Sequence, residues 1–193
     1  MSQLVIFLHG RGLGPETVAQ VAPALGGAEL IAPTGGVSLK RGHTWFENES
    51  IGVAREDSVR AAEERFLSWR EATGLNDRAT LLCGFSNGGA FAAHLLVRHP
   101  DLFTGAALLC APLVLPPWPV GALAGKRVFY GHGQAQDTVV GPAFYDAAEA
   151  YLLGSSSCEA TIRHHDIAHE MAAPLIADLA AWYQARASTP EAE

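Results

Sequence analysis

Six apolar runs of strand length recur along the chain: LVIFL (4–8), AELIA (28–32), ATLLC (79–83), GAALLC (105–110), KRVFYG (126–131) and EATIRH (159–164). Most are continuously apolar rather than alternating, the pattern of strands covered on both faces. Stretches of helical character lie between them. PETVAQVAPAL has Pro15 in a favourable first-turn position and stops at Gly26 and Gly27. In REDSVRAAEERFLSWREATG, Val59, Ala62, Phe66 and Trp69 recur at i, i+3, i+7 and i+10, with Gly74 just beyond. NGGAFAAHLLVRHP, PAFYDAAEAYLLG and EMAAPLIADLAAWYQARA complete the helical set. Strands alternating with helices predict an α/β fold, a mainly parallel sheet of about six to seven strands with helices on both faces.

Two segments fit neither pattern. PTGGVSLKRGHTWFENESIG (33–52) is long and glycine-rich, and APLVLPPWPVGALAG (111–125) carries four prolines. Both follow predicted strands at their C-terminal ends, where open α/β sheets bind ligands. The tail STPEAE (188–193) has nothing to bury and is expected to fray, which leaves residues 1–187 as a single domain.

Composition narrows the function classes. Hydrophobic residues make up 49% and charged residues 17%, a globular profile rather than a disordered one. A formal charge of −7 and the lack of a basic run argue against nucleic-acid binding. MSQLVIFLHG has no basic n-region or small-residue cleavage site, and no apolar stretch reaches the ~18 residues of a membrane span. Cys83, Cys110 and Cys158 are odd in number and lack metal-ligand spacing. The expectation is a cytoplasmic, disulfide-free protein. Its oligomeric state is left open, a homodimer included.

The chemistry concentrates around GFSNGG (84–89), which follows one predicted strand and opens a helix. Glycine at 84 and 88 around Ser86 is the G-x-S-x-G nucleophile elbow, a turn too tight for Cβ atoms at the flanking positions. A serine hydroxyl needs a base, and the order serine, acid, histidine directs attention downstream. IRHHDIAHEM follows the last strand and places His169 at the start of the final helix; GHGQAQDTVV follows the strand before it and contains Asp137. Asp166 and Asp146 compete for the role of the acid, but Asp137 lies on the loop leaving the penultimate strand. His164 and His165 fit a packed or solvated strand end. His165 and His169 are four residues apart, a metal-binding face only on a helix, so no metal or cofactor is expected. The oxyanion hole calls for the N–H of Asn87, after the nucleophile, and of Arg11 in LHGRGLG, after the first strand.

FLHGRG, APTGG…TWF, GFSNGGAFA, GHGQAQDTVV and HHDIAHEM…IADLAAWY, in that order and across almost the whole chain, resemble the phospholipase/carboxylesterase family of α/β-hydrolases. That family includes acyl-protein thioesterases and small bacterial carboxylesterases. The resemblance implies an α/β-hydrolase fold, Ser86, Asp137 and His169 as a triad, and Arg11 and Asn87 as backbone donors. It also matches Trp45 and Phe46 to the family's Trp-Phe pair. The chain departs from the pattern in having three residues, Gln134 to Gln136, where two usually precede the aspartate, and Ala168 where glycine usually precedes the histidine.

The expected function is a cofactor-free serine carboxylesterase acting on short-acyl or small aryl esters through an acyl-enzyme. Leu113 and Trp118, in the proline-rich loop, are candidates for an apolar substrate wall beside Trp45 and Phe46. Competing readings are a thioesterase or lysophospholipase using the same site, and a non-catalytic binding protein of the same fold.

Overall fold

Residues 2–50 and 52–185 are described by a computed structural model. In chain order the elements are β1 (Leu4–Leu8), β2 (Glu29–Ile31), β3 (Val37–Ser38), β4 (His43–Thr44), β5 (Asn48–Ser50), β6 (Val53–Ala54), α1 (Glu56–Ala72), β7 (Thr80–Phe85), α2 (Asn87–Arg98), β8 (Phe103–Leu109), β9 (Arg127–Gly133), α3 (Pro142–Ala150), β10 (Glu159–His165) and α4 (Ala173–Ala185). Six strands form one sheet in the order β10-β9-β8-β7-β1-β2, with every pairing parallel. Each apolar run of the sequence is one of these strands.

Continuous apolarity follows from burial on both faces. Along β1, Leu4, Ile6 and Leu8 face a core that also holds Val59 and Phe66 of α1, Phe91 of α2 and Tyr145 of α3. The alternate residues Val5 and Phe7 face a second core with Val21 and Leu25, and with Leu175, Leu179 and Trp182 of α4. Burying a side chain of this size stabilises the fold by roughly 1.5–3 kcal/mol. The outer strand β10 is half exposed and carries Glu159, Arg163, His164 and His165, as suits a sheet edge. No helix among the described residues is long and apolar enough to cross a membrane.

Three expectations need correction. Residues 15–25 form two 3₁₀ turns, Pro15–Gln20 and Ala22–Leu25, rather than one α-helix. Pro23 explains the break: it has no N–H to donate, and its ring would strike the carbonyl four residues back. The final helix begins at Ala173, so His169 lies on the preceding loop and not at the helix start. Pro174 takes the first turn, where the missing N–H costs nothing. The glycine-rich segment 33–52 is not wholly irregular: β3 pairs with β4 and β5 with β6, antiparallel in each case. The tail 188–193 lies outside the described residues.

Candidate active site

Ser86 stands between the end of β7 and the first residue of α2, at φ 53° and ψ −120°. This is a left-handed conformation that costs a non-glycine residue about 1–3 kcal/mol. The flanking sheet holds it there: Ser86 N–H donates to the Leu109 carbonyl at 2.8 Å, continuing the β7–β8 ladder one residue past the strand. The glycines answer a steric demand. A Cβ on Gly84 would lie 2.5 Å from the Gly88 carbonyl oxygen, and one on Gly88 would lie 2.1 Å from that of Leu8. The first bond of α2 runs from Ala90 N–H to Ser86 C=O, so the N–H groups of Asn87, Gly88 and Gly89 have no intrahelical partner. They give this end of the helix a partial positive charge beside the Ser86 hydroxyl.

His169 reaches Ser86 from the loop after β10. Its Nε2 is 2.8 Å from Ser86 Oγ, and its Nδ1 is 2.9 Å from Asp137 Oδ2. Asp137 accepts but cannot donate while ionised, so the ring hydrogen sits on Nδ1 and Nε2 is free to accept the Ser86 hydroxyl. The Phe85 ring packs against the imidazole at 5.1 Å between centroids. Of the three aspartates considered, Asp137 alone faces His169. Asp166 and Asp146 are exposed.

The Asp137 side chain is wholly buried, which by itself would favour the neutral acid. Hydrogen bonds outweigh that. Tyr145 Oη–H and His169 act on Oδ2, while the N–H groups of Val139 and Val140 each donate to Oδ1 at 3.0 Å. The carboxyl is held below its ordinary range as a result, burial opposing and these donors prevailing. The extra residue among Gln134–Gln136 is taken up in the turn before Asp137, where Asp137 N–H donates to the Gln134 carbonyl at 3.0 Å.

The loop after β1 closes the other side. Gly12 N–H donates to the His43 carbonyl at 2.8 Å, and His43 N–H to that of Leu13 at 2.9 Å. His9 is structural: its Nε2 accepts from Gly35 N–H at 3.0 Å, and its carbonyl accepts from Trp45 Nε1–H at 3.0 Å. Burial lowers the His9 pKa and keeps the ring neutral for this work. The Asn87 side chain joins the same framework, its Oδ1 accepting from Thr44 Oγ1–H at 2.8 Å and Trp45 N–H at 3.0 Å.

A cavity of about 260 Å³ opens above Ser86. Arg11, Asn87 and His169 line it together with Phe46, Phe85, Pro112, Val114 and Val140. Of the sequence-level pocket candidates, only Phe46 faces it. Trp45 is turned away, stacked on Phe91 at 5.4 Å. Leu113 and Trp118 line a separate cavity of about 430 Å³ under the proline-rich loop, which contains none of Ser86, Asp137 and His169. Trp118 Nε1–H donates to the Val114 carbonyl at 3.0 Å, bracing the segment from behind. Pro112 and Val114 line the cavity above Ser86 and Leu113 does not, while Val114 also borders the second cavity. Tyr145 was missed altogether, because inside PAFYDAAEAYLLG it reads as an ordinary core residue.

As for metals, Cys110 Sγ comes within 4.8 Å of the Asp137 and His169 donor atoms. Burial pushes the Cys110 thiol up to about 12, so it stays protonated and is a poor ligand. Asp137 and His169 are already engaged with each other.

Known proteins similar to this chain share one family description. A family model described as Phospholipase/Carboxylesterase matches residues 1–185. A rice protein (Oryza sativa subsp. japonica) named as a probable carboxylesterase is 28% identical over 160 residues, covering 70% of this chain and 68% of its own. The crystal structure of a carboxylesterase from Mesorhizobium loti superposes with a TM-score of 0.80 at 28% identity, covering 97% of this chain and 89% of that one. A Bacillus cereus carboxylesterase gives 0.86 at 20% identity, covering 95% and 88%.

Proposed function

The chain belongs to the phospholipase/carboxylesterase family and is a hydrolase of the α/β-hydrolase fold, and from that premise we propose that it cleaves small carboxylic esters with Ser86, His169 and Asp137 as its triad. The observation that carries this reading is the continuous chain of contacts Ser86 Oγ···Nε2 His169 Nδ1···Oδ2 Asp137, at 2.8 and 2.9 Å. His169 Nε2 takes the hydroxyl proton as Ser86 Oγ attacks the ester carbonyl carbon. The oxyanion that forms lies against the N–H groups of Asn87 and Arg11. His169, now cationic and stabilised by Asp137, passes the proton to the departing alcohol, leaving an acyl-serine. Water, deprotonated by the same nitrogen, attacks the acyl carbon and returns the serine. Apart from the ester and the attacking water, every group in this cycle is a side chain or backbone amide of the chain itself, so the cycle calls for no cofactor.

Cavity size supports small esters over long acyl chains. About 260 Å³ is below the ~300–1,000 Å³ of pockets that enclose drug-sized ligands. The walls of Phe46, Phe85, Val114 and Val140 offer apolar contact to a small acyl or aryl group. The test is hydrolysis of p-nitrophenyl acetate and butyrate by wild type, Ser86→Ala and His169→Ala. Loss of kcat by about 10⁵–10⁶-fold in both variants supports the reading. Activity retained in either removes it.

A further inference from the structure

A second constellation of ionisable groups lies behind Tyr145, outside the hydrolytic chain. His132 and His164 are the penultimate residues of β9 and β10, and they are register partners in that parallel pair. Their side chains therefore leave the sheet side by side, with ring centroids 5.0 Å apart. Glu149 comes from α3. Its Oε1 lies 2.7 Å from His132 Nε2 and 2.6 Å from His164 Nε2. Donor atoms from three elements thus converge within 4.8 Å of one another.

The tautomer of His132 shows what this arrangement requires. The ring is buried and stacked on Tyr145 at 4.0 Å, and its Nδ1 lies 2.6 Å from the Gly133 carbonyl oxygen. A carbonyl can only accept, so the hydrogen is on Nδ1, and in the neutral ring Nε2 presents a lone pair. That lone pair faces another, on the Glu149 carboxylate. Two acceptors at 2.7 Å repel unless a cation joins them. An imidazole N–H on a backbone carbonyl, with the other nitrogen aimed at a carboxylate and a second imidazole, is the supported ligand arrangement of metal-binding histidines.

We propose that His132, Glu149 and His164 bind a divalent transition-metal ion of the zinc class. Two imidazoles and one carboxylate suit Zn²⁺, Co²⁺ or Ni²⁺ and disfavour Mg²⁺ and Ca²⁺, which prefer all-oxygen sets. Tetrahedral zinc at about 2.0–2.2 Å from each donor spaces the donors about 3.3 Å apart, so the present contacts open by about 0.6–0.7 Å on loading. The His164 side chain is 44% exposed and can rotate to make that room, whereas His132 stays pinned. A fourth position remains for water. The ion clamps the edge strand β10 and the helix α3 onto β9, and it takes no part in the reaction at Ser86.

The test uses the full chain after chelator treatment, titrated with zinc chloride by calorimetry and followed by thermal unfolding. One zinc per chain is expected, with Tm raised by about 5–10 °C at a hundredfold excess over Kd. His164→Gln and Glu149→Gln should each weaken binding tenfold or more while ester hydrolysis continues at the wild-type rate. His99→Gln, in the unrelated His94–Glu63–His99 trio, should bind as wild type does. An anomalous difference peak at the zinc edge should fall between the three side chains. Absence of heat and of any Tm shift at millimolar zinc overturns the proposal and leaves a proton as the bridging cation. Affinity unchanged in both His164→Gln and Glu149→Gln, or an ion located elsewhere, overturns it too.

Discussion

Tyr145 donates its hydroxyl hydrogen to Asp137 Oδ2, the same carboxylate oxygen that faces His169 Nδ1. The carboxylate that orients the histidine is thereby held by a rigid, buried phenol on α3 as well as by its own loop. Tyr145→Phe should preserve the fold and remove one charge-assisted bond, with a stability loss of about 1.5–3 kcal/mol. Kcat should fall less than tenfold, because His169 keeps its contact with Asp137, and KM should stay near wild type. Thermal unfolding and steady-state kinetics check this. A Tm equal to that of wild type would show that the phenol contributes nothing.

With Asp137 as the proposed acid, Asp137→Asn should cost about 10⁴-fold in kcat by favouring the wrong histidine tautomer. Asp166→Asn, at an exposed position on the histidine loop, should leave kcat within a factor of two. The reverse outcome would move the acid to Asp166.

The depressed Asp137 carboxyl also predicts a pH dependence of stability. Its folded-state pKa lies below the unfolded value near 3.9, so between the two the unfolded chain binds more protons. The stabilisation is complete above about pH 5 and is lost as pH falls through the folded-state value. The Tm difference between wild type and Asp137→Asn should therefore be largest near pH 6–7 and shrink toward pH 3. A difference that stays constant across that range contradicts the charge-based account of this residue.

We propose that Val114, which lines the cavity above Ser86, shapes substrate choice more than Trp118, which does not. Val114→Phe intrudes on the cavity above Ser86 and should raise KM for p-nitrophenyl butyrate more than for acetate. Trp118→Ala should keep the wild-type order of preference, since its ring faces the other cavity. Acyl-series kinetics from acetate to palmitate decide this. Palmitate as the best wild-type substrate would rule out the small-ester reading.

Much of this was legible in the sequence because a few positions are over-determined. Continuous apolar runs of five or six residues suit strands buried on both faces, and Gly84 and Gly88 have no room for a Cβ. Ser86, Asp137 and His169 each follow a strand of the parallel sheet, β7, β9 and β10, so chain order places all three at the strands' C-terminal ends. What escaped is what depends on side-chain direction. Leu113 and Val114 are equally apolar in the sequence, and only the path of the loop turns Val114 toward Ser86. Tyr145 and His132 read as core residues until α3 is laid across β9, when their polar atoms meet Asp137 and Glu149. The 15–25 segment misled because helical period says nothing of an interior Pro23.

The central claim is that Ser86 is an activated nucleophile, and a fluorophosphonate probe measures that property directly, since the phosphorus is captured only by a serine whose proton has an acceptor. The account predicts covalent labelling of wild type at Ser86, located by peptide mass, with no labelling of Ser86→Ala and labelling slowed at least a thousandfold in His169→Ala. A wild-type protein that remains unlabelled while its circular dichroism shows it folded, or label found on another residue, would contradict it.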